Sequence, residues 1–186
     1  MENKEKFVYL CSKIKRDGID ELMNWLETTD FYEAPASTRF HGAYKGGLLE
    51  HSLNVYTELE RILTAYPLIE YGDEESILIS SLFHDLCKVN FYETEKRNRK
   101  NEYGQWESYD AYKVNEKFAF GGHGSKSVFI LQQFIKLKPH EAVAINCHMG
   151  AFESDKVGKS YEKYPFAWAL HIADEAATYL LESEVS

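Results

Sequence analysis

The sequence predicts an all-α protein: a helical bundle of about six or seven helices, with a small extended or β-hairpin insert at about 89–122. Three observations carry this. Apolar residues recur at three- and four-residue intervals through most of the chain. Prolines, glycines and acidic residues fall where helices should start and stop. One long stretch, residues 89–122, lacks the helical period and mixes polar, aromatic and basic side chains.

Residues 4–16 read as the first helix, with Phe7, Leu10, Cys11 and Ile14 on one face, and residues 19–28 as the second. FYEAPASTRFHGAYKGG, rich in small residues and turn formers, reads as a loop. A long helix starts at Gly47 and runs to about Tyr66, before Pro67. Asp73, Glu74 and Glu75 open the next helix, where negative charge suits the helix dipole. Its period carries Ile77, Leu78, Ser81, Leu82 and Asp85 to one side. In the insert, NEYGQW suits the turn of a short hairpin. Non-helical stretches of about 30 residues are uncommon in compact domains and are often functional. Helices resume at about Ser125–Lys136 and at Pro139–His148, with proline at a first helical position and Gly150 as the stop. Pro165 opens a last helix to about Leu181.

The 186 residues suit one domain spanning 1–186, and a hydrophobic share of 44% can fill one core. The net charge of -9 argues against general binding to nucleic acid or anionic membrane, though not against a local basic groove. No window of about 18 apolar residues occurs, so no membrane span is expected. The N-terminus is charged from the start and lacks a signal-peptide apolar core. Cys11, Cys87 and Cys147 show no paired metal-ligand spacing. A cytoplasmic protein with reduced thiols is the expectation.

Six residues stand out against this helical background: His51, His84, Asp85, His123, His148 and Asp174. Each lies in or at the edge of a predicted helix, and Asp174 interrupts FAWALHIADEAATYLL, a stretch that otherwise reads as buried. In SSLFHDLCK, His84 and Asp85 take places that a core would give to leucines. Buried imidazoles and carboxylates are costly unless paired or bound to metal. Several helices each giving one inward nitrogen or oxygen is how bundles build metal sites. Single histidines such as His140 or His171 have the simpler role of satisfied core or surface residues.

The segments HSLNV, SSLFHDLCK, GGHGSKS, CHMG and LHIADE together resemble the HD-domain superfamily of metal-dependent phosphohydrolases. FHGAYKGGLLEHSLNV is close to the segment around the first ligand in many bacterial and phage HD proteins, including 3′–5′ exoribonuclease HD domains. The resemblance covers residues 40 to about 180. It implies that His51, His84, Asp85 and Asp174 hold one divalent transition metal. His123 and His148 would hold a second, with Asp85 bridging. These ligand types suit Mn, Fe, Ni, Co or Zn without choosing among them. Such metals lower the pKa of a bound water and offset phosphate charge. Lys88, one turn after His84, matches the family's His-Asp-x-x-Lys pattern. Lys45 stands where relatives usually have arginine, and Lys126 is a third candidate cation for the phosphate clamp.

The insert adds a candidate substrate surface. Arg97, Arg99, Lys100 and Trp106, with Lys96, Tyr92 and Tyr103 nearby, interleave cations and aromatics as phosphates and stacked bases require. If residues 96–106 cover the metal cleft, these cations would act on binding. The expected function is removal of phosphate or triphosphate from a nucleotide. The alternatives are a phosphodiesterase on single-stranded nucleic-acid 3′ ends or cyclic nucleotides, an HD-fold di-iron oxygenase, and a non-catalytic nucleotide sensor.

Overall fold

A computed structural model describes residues 2–152 and 156–182. Among them lie eight α-helices and one two-stranded antiparallel sheet. The helices are α1 (Asn3–Cys11), α2 (Ile19–Leu26), α3 (Gly47–Ala65), α4 (Glu74–Leu82), α5 (His123–Leu131), α6 (Pro139–Cys147), α7 (Val157–Lys163) and α8 (Pro165–Ala176). Strands β1 (Tyr92–Lys100) and β2 (Trp106–Val114) form the insert. The chain is mostly helical, as the sequence predicts. It adds α7, a polar segment with no buried residue and therefore no apolar stripe to reveal it.

Local chemistry explains the helix starts. Asp73 caps α4, its side chain accepting from the Ser76 amide at 3.0 Å. Pro139 and Pro165 occupy the first turns of α6 and α8, where no amide donor is needed. Gly46 enters α3 at φ 85°, and a Cβ on Gly47 would lie 2.0 Å from the Gly42 carbonyl oxygen. The paired glycines therefore fold the 31–46 loop tightly against the start of α3.

Helix α3 is central and packs against α8, α4 and α1, while α6 packs against α8, α5 and α4. Phe7, Phe31 and Phe83 meet at the α1 end, with Phe7 5.1 Å from Phe31 and edge-on to Phe83 at 5.7 Å. Leu59, Ile79, Leu131, Ile145, Phe166 and Leu170 are fully buried in the same core. A buried polar lock ties three segments together: Glu141 takes Arg16 at 2.6 Å, the Ser76 hydroxyl at 2.7 Å and the Lys138 amide at 2.7 Å.

Helix α4 stops at Leu82, short of the extension through Asp85 that its period suggests. The Ser81 carbonyl, which a continuing helix would offer to the Asp85 amide, accepts from the His84 ring at 2.8 Å. Asp85 then opens a 3₁₀ turn, Leu86–Lys88.

The insert is a longer hairpin than the sequence suggests, with nine residues per strand in register from Tyr92 opposite Val114 to Lys100 opposite Trp106. Asn101 Oδ1 closes the turn by accepting from the Tyr103 and Gln105 amides. Its side chains are largely exposed, and its charges pair internally: Lys96 with Asp110, Arg99 with Glu107 and Lys113 with Glu93.

Candidate metal centre

His51 lies one turn into α3, fully buried. Its Nδ1 is 3.1 Å from both Glu182 oxygens, and a carboxylate can only accept, so Nδ1 carries the hydrogen. Nε2 points inward, 3.0 Å from Asp174 Oδ1. His84 and His148 follow the same rule. Each donates from Nδ1 to the carbonyl three residues earlier, Ser81 at 2.8 Å and Ile145 at 2.7 Å. Three imidazoles thus have their tautomers fixed from behind, as metal-ligating histidines do.

The inward atoms crowd together. His84 Nε2 lies 3.3 Å from His51 Nε2, 3.4 Å from Asp85 Oδ2 and 3.8 Å from Asp174 Oδ1. His51 Nε2 is 3.6 Å from Asp85 Oδ2. The other Asp85 oxygen, Oδ1, is 3.5 Å from His148 Nε2, a buried atom with no hydrogen-bond partner. Two imidazole lone pairs facing at 3.3 Å repel unless a cation sits between them. Ligand atoms about 2.0–2.2 Å from one ion would stand about 3–3.6 Å apart. The buried His and Asp groups are therefore positioned for metal.

Without metal, protons take part of that role. Burial lowers the proton affinity of His51, but hydrogen bonds to Asp174 and Glu182 outweigh it and raise its pKa to about 9. Burial alone would raise Asp85 and Asp174. Lys88 and His84 hold Asp85 well below the usual carboxylate range, and His51 does the same for Asp174. Lys88 is buried, and its Nζ lies 2.6 Å from Asp85 Oδ2. Burial opposes its charge, but the Asp85 carboxylate more than offsets this, and the pKa rises.

Not every candidate joins this cluster. His123 opens α5, two residues earlier than the sequence suggests, and its Nδ1 is 3.4 Å from Cys87 Sγ. The donor groups among the described residues join His148 with His84 and Asp85, and His123 with Asp85 and Cys87. These two groups share Asp85, and none of the groups joins His123 with His148. Gly124 lets α5 come this close: a Cβ there would lie 2.3 Å from the Asn146 carbonyl oxygen of α6.

The cavity above the cluster holds about 560 Å³ and is lined by Asp85, Lys88, His123, His148 and Asp174 on one side. A larger hollow of about 830 Å³ beside α1 and α2 has none of the candidate ligands, so size alone does not select the site. Lys45 lies outside the cavity: its side chain is exposed and pairs with Glu33 at 3.0 Å. Lys126 is buried beside His123, but its Nζ pairs with Glu116 at 3.0 Å and lies over the Phe91 ring.

The hairpin touches the cavity only through its base, Tyr92 and Val114. Arg97, Arg99, Lys100 and Trp106 do not line it, contrary to a tip folded over the cleft. At about 3.3 Å per residue, Arg97 to Lys100 lie about 17–26 Å along the strand from Tyr92. Arg97 and Arg99 bond Glu95 and Glu107, and Lys100 lies over the Trp106 ring.

Sequence reasoning passed over three residues here. Glu182 holds His51 and also accepts from Asn54 at 2.9 Å. Eight residues after Asp174, it would be about 80° out of phase on a regular helix. The π turn Ala177–Leu181 inserts one extra residue and brings it back to the His51 side. His41, in the 31–46 loop, sets its ring at a tilt 5.0 Å from the His51 ring, with a buried, unpartnered Nε2. Burial, with His51 and Lys88 nearby, lowers its pKa to about 4. Cys87 carried no spacing signal because His123, the histidine 3.4 Å from its sulfur, lies 36 residues away. His140 and His171 have structural roles, His140 beside the Ser76 hydroxyl and His171 donating to the His148 carbonyl at 2.7 Å.

No curated protein and no solved structure matches the chain. The HD-domain family model does, over residues 48–178, a span that runs from the first turn of α3 through α8 and encloses every histidine and aspartate of the cluster. With the buried His/Asp geometry on the same span, the chain belongs to the HD-domain family of metal-dependent hydrolases.

Proposed function

We propose that the protein is a metal-dependent phosphohydrolase that removes phosphate or triphosphate from a nucleotide. The observation that carries this is the juxtaposition of Lys88 with the donor cluster on one cavity wall, Nζ 2.6 Å from Asp85 Oδ2. The metal, held by His51, His84, Asp85 and Asp174, would supply an activated water and offset phosphate charge. The protein's own groups do the rest. His51 and His84 keep Nε2 available because Nδ1 is committed to Glu182 and to the Ser81 carbonyl. Lys88 stays charged, and its remaining N–H groups can hold a phosphoryl oxygen as charge builds there.

Five aromatic side chains, Phe40, Phe91, Tyr92, Phe152 and Tyr179, also line the cavity. Such rings suit a nucleobase face. A volume of about 560 Å³ lies in the range of small-molecule sites, about 300–1,000 Å³, which favours a mononucleotide over a nucleic-acid end. One observation favours a second reading. Lys88 is the only lysine or arginine lining the cavity among the described residues, little for a triphosphate, and a di-iron oxygenase of a small organic substrate needs no more.

The test is a screen of nucleotides, cyclic dinucleotides and short single strands with Mn, Ni, Co, Mg or Fe(II), in air and without oxygen. Metal-dependent release of phosphate or triphosphate from a nucleotide, lost in Asp85→Ala, is the expected result. Turnover confined to Fe(II) with oxygen would replace the proposal with the oxygenase. Cleavage of strands or cyclic dinucleotides alone would replace it with the diesterase.

A further inference from the structure

We propose that Cys87 is a thiolate ligand of a second ion, in a mixed site built from Asp85, Cys87 and His123. The inference rests on the metal-dependent reading and goes beyond its histidine and aspartate ligands. Cys87 is buried in the 3₁₀ turn that follows Asp85, and its amide is fixed by the Ser127 hydroxyl at 3.0 Å. Its Sγ lies 3.4 Å from His123 Nδ1 and 3.7 Å from Asp85 Oδ1. In a tetrahedral site with metal–sulfur about 2.3 Å and metal–nitrogen or metal–oxygen about 2.0–2.2 Å, sulfur stands about 3.5–3.7 Å from each neighbouring donor. The observed separations match that spacing.

Two further observations point to the same place. Asp85 divides its oxygens: Oδ2 faces His51, His84 and Lys88, while Oδ1 faces Cys87 and His148. Oδ1 is therefore the oxygen that Asp85 offers to Cys87, while His148 approaches the same oxygen from the His84 group. His148 Nε2, fully buried and without a hydrogen-bond partner, is 3.5 Å from that same oxygen. Beside Cys87 and His123 lies a small cavity of about 80 Å³. On binding, the Cys87 S–H bond breaks, the proton leaves to buffer, and sulfur donates its retained electron pair to the ion. A thiolate here favours Zn, Co or Fe over Mg or Mn for this ion.

Cobalt(II) supplies the readout, because sulfur bound to it gives a near-ultraviolet charge-transfer band that nitrogen and oxygen ligands do not. The full chain should bind two Co(II) ions and show the band. Cys87→Ser should abolish it and weaken the second ion by more than about 100-fold, beyond the 10–100-fold cost of losing an outer partner. The double variant Cys11→Ser/Cys147→Ser, with Cys87 its only thiol, should keep the band. It decides alone if Cys87→Ser does not fold: without the band there, the proposal fails. Two bound ions and no band, one bound ion and no band, or a band that survives Cys87→Ser each overturns the thiolate assignment. A chain that binds no cobalt overturns the metal-dependent reading itself, a distinct failure.

Discussion

Glu182 offers the sharpest test of how this centre is held. Its side chain is nearly inaccessible and accepts from His51 Nδ1 at 3.1 Å on each oxygen and from Asn54 at 2.9 Å. Glu182→Gln keeps the shape, but an amide nitrogen in the Oε2 place would face the His51 Nδ1–H donor to donor, and one in the Oε1 place would face both His51 and Asn54. Losing an outer partner of a metal-bound imidazole costs about 10–100-fold in metal affinity, or about 1.4–2.7 kcal/mol. At a metal concentration 100 times Kd, binding stabilises the native protein by about 2.7 kcal/mol. At about 2–4 °C per kcal/mol for a chain of this size, that is a rise in Tm of about 5–11 °C. In Glu182→Gln the same metal concentration should give about 3–6 °C if affinity falls tenfold, and about 1–2 °C if it falls a hundredfold. Scanning calorimetry with and without metal, beside chelator competition, measures both quantities. Metal affinity within about twofold of the parent chain would refute the orienting role.

Three further perturbations probe the same frame. Lys88→Met leaves Asp85 buried without its ammonium partner. The metal-free protein should lose about 3–5 kcal/mol. The metal-bound form should lose less, because the ion supplies the missing charge, and equal losses in urea titrations of both forms would contradict this. His51 has a raised pKa, so its protonation stabilises the metal-free fold fully below about pH 6.5, and that contribution is lost as pH rises through about 9. The first ion must displace this proton at neutral pH, so calorimetry in buffers of different ionisation enthalpy should show about one proton released, and almost none above pH 10. Replacing Arg97, Arg99 and Lys100 together by alanine should leave KM unchanged, because these side chains lie beyond the 8–10 Å screening length from the cavity. A tenfold rise in KM would show that the tip closes over the substrate.

Much of the fold was legible because helices announce their ends. Pro139, Pro165, Asp73 and Gly46-Gly47 all sit where the chain turns or a helix starts. The His and Asp cluster was legible because its members interrupt apolar runs in four separate segments. Lys45 misled for lack of depth information: its side chain points to Glu33 and solvent. The hairpin's basic residues read as a binding surface because sequence does not reveal their cross-strand partners, and the register sets Arg99 against Glu107 and Lys96 against Asp110. Glu182 and His41 were illegible for another reason. One depends on a π turn that shifts helical phase by a residue, and the other on a glycine-rich loop with no period at all.

Asp85 is where fold and chemistry meet. Had α4 continued past Leu82, the Ser81 carbonyl would take the Asp85 amide and His84 would lose the bond that aims its Nε2 inward. The early stop removes one backbone hydrogen bond, worth about 0.5–1.5 kcal/mol net, and the ring of His84 replaces it at no lost acceptor. The 3₁₀ turn that follows places Lys88 back on Asp85 Oδ2 and Cys87 beside Oδ1. A leucine pair at 84 and 85 would favour the longer helix and the larger core, and would lose both sides of the site at once. The local break in the helix is therefore a requirement of the centre: one carboxylate reaches two groups of donors only because its backbone has left the helical path.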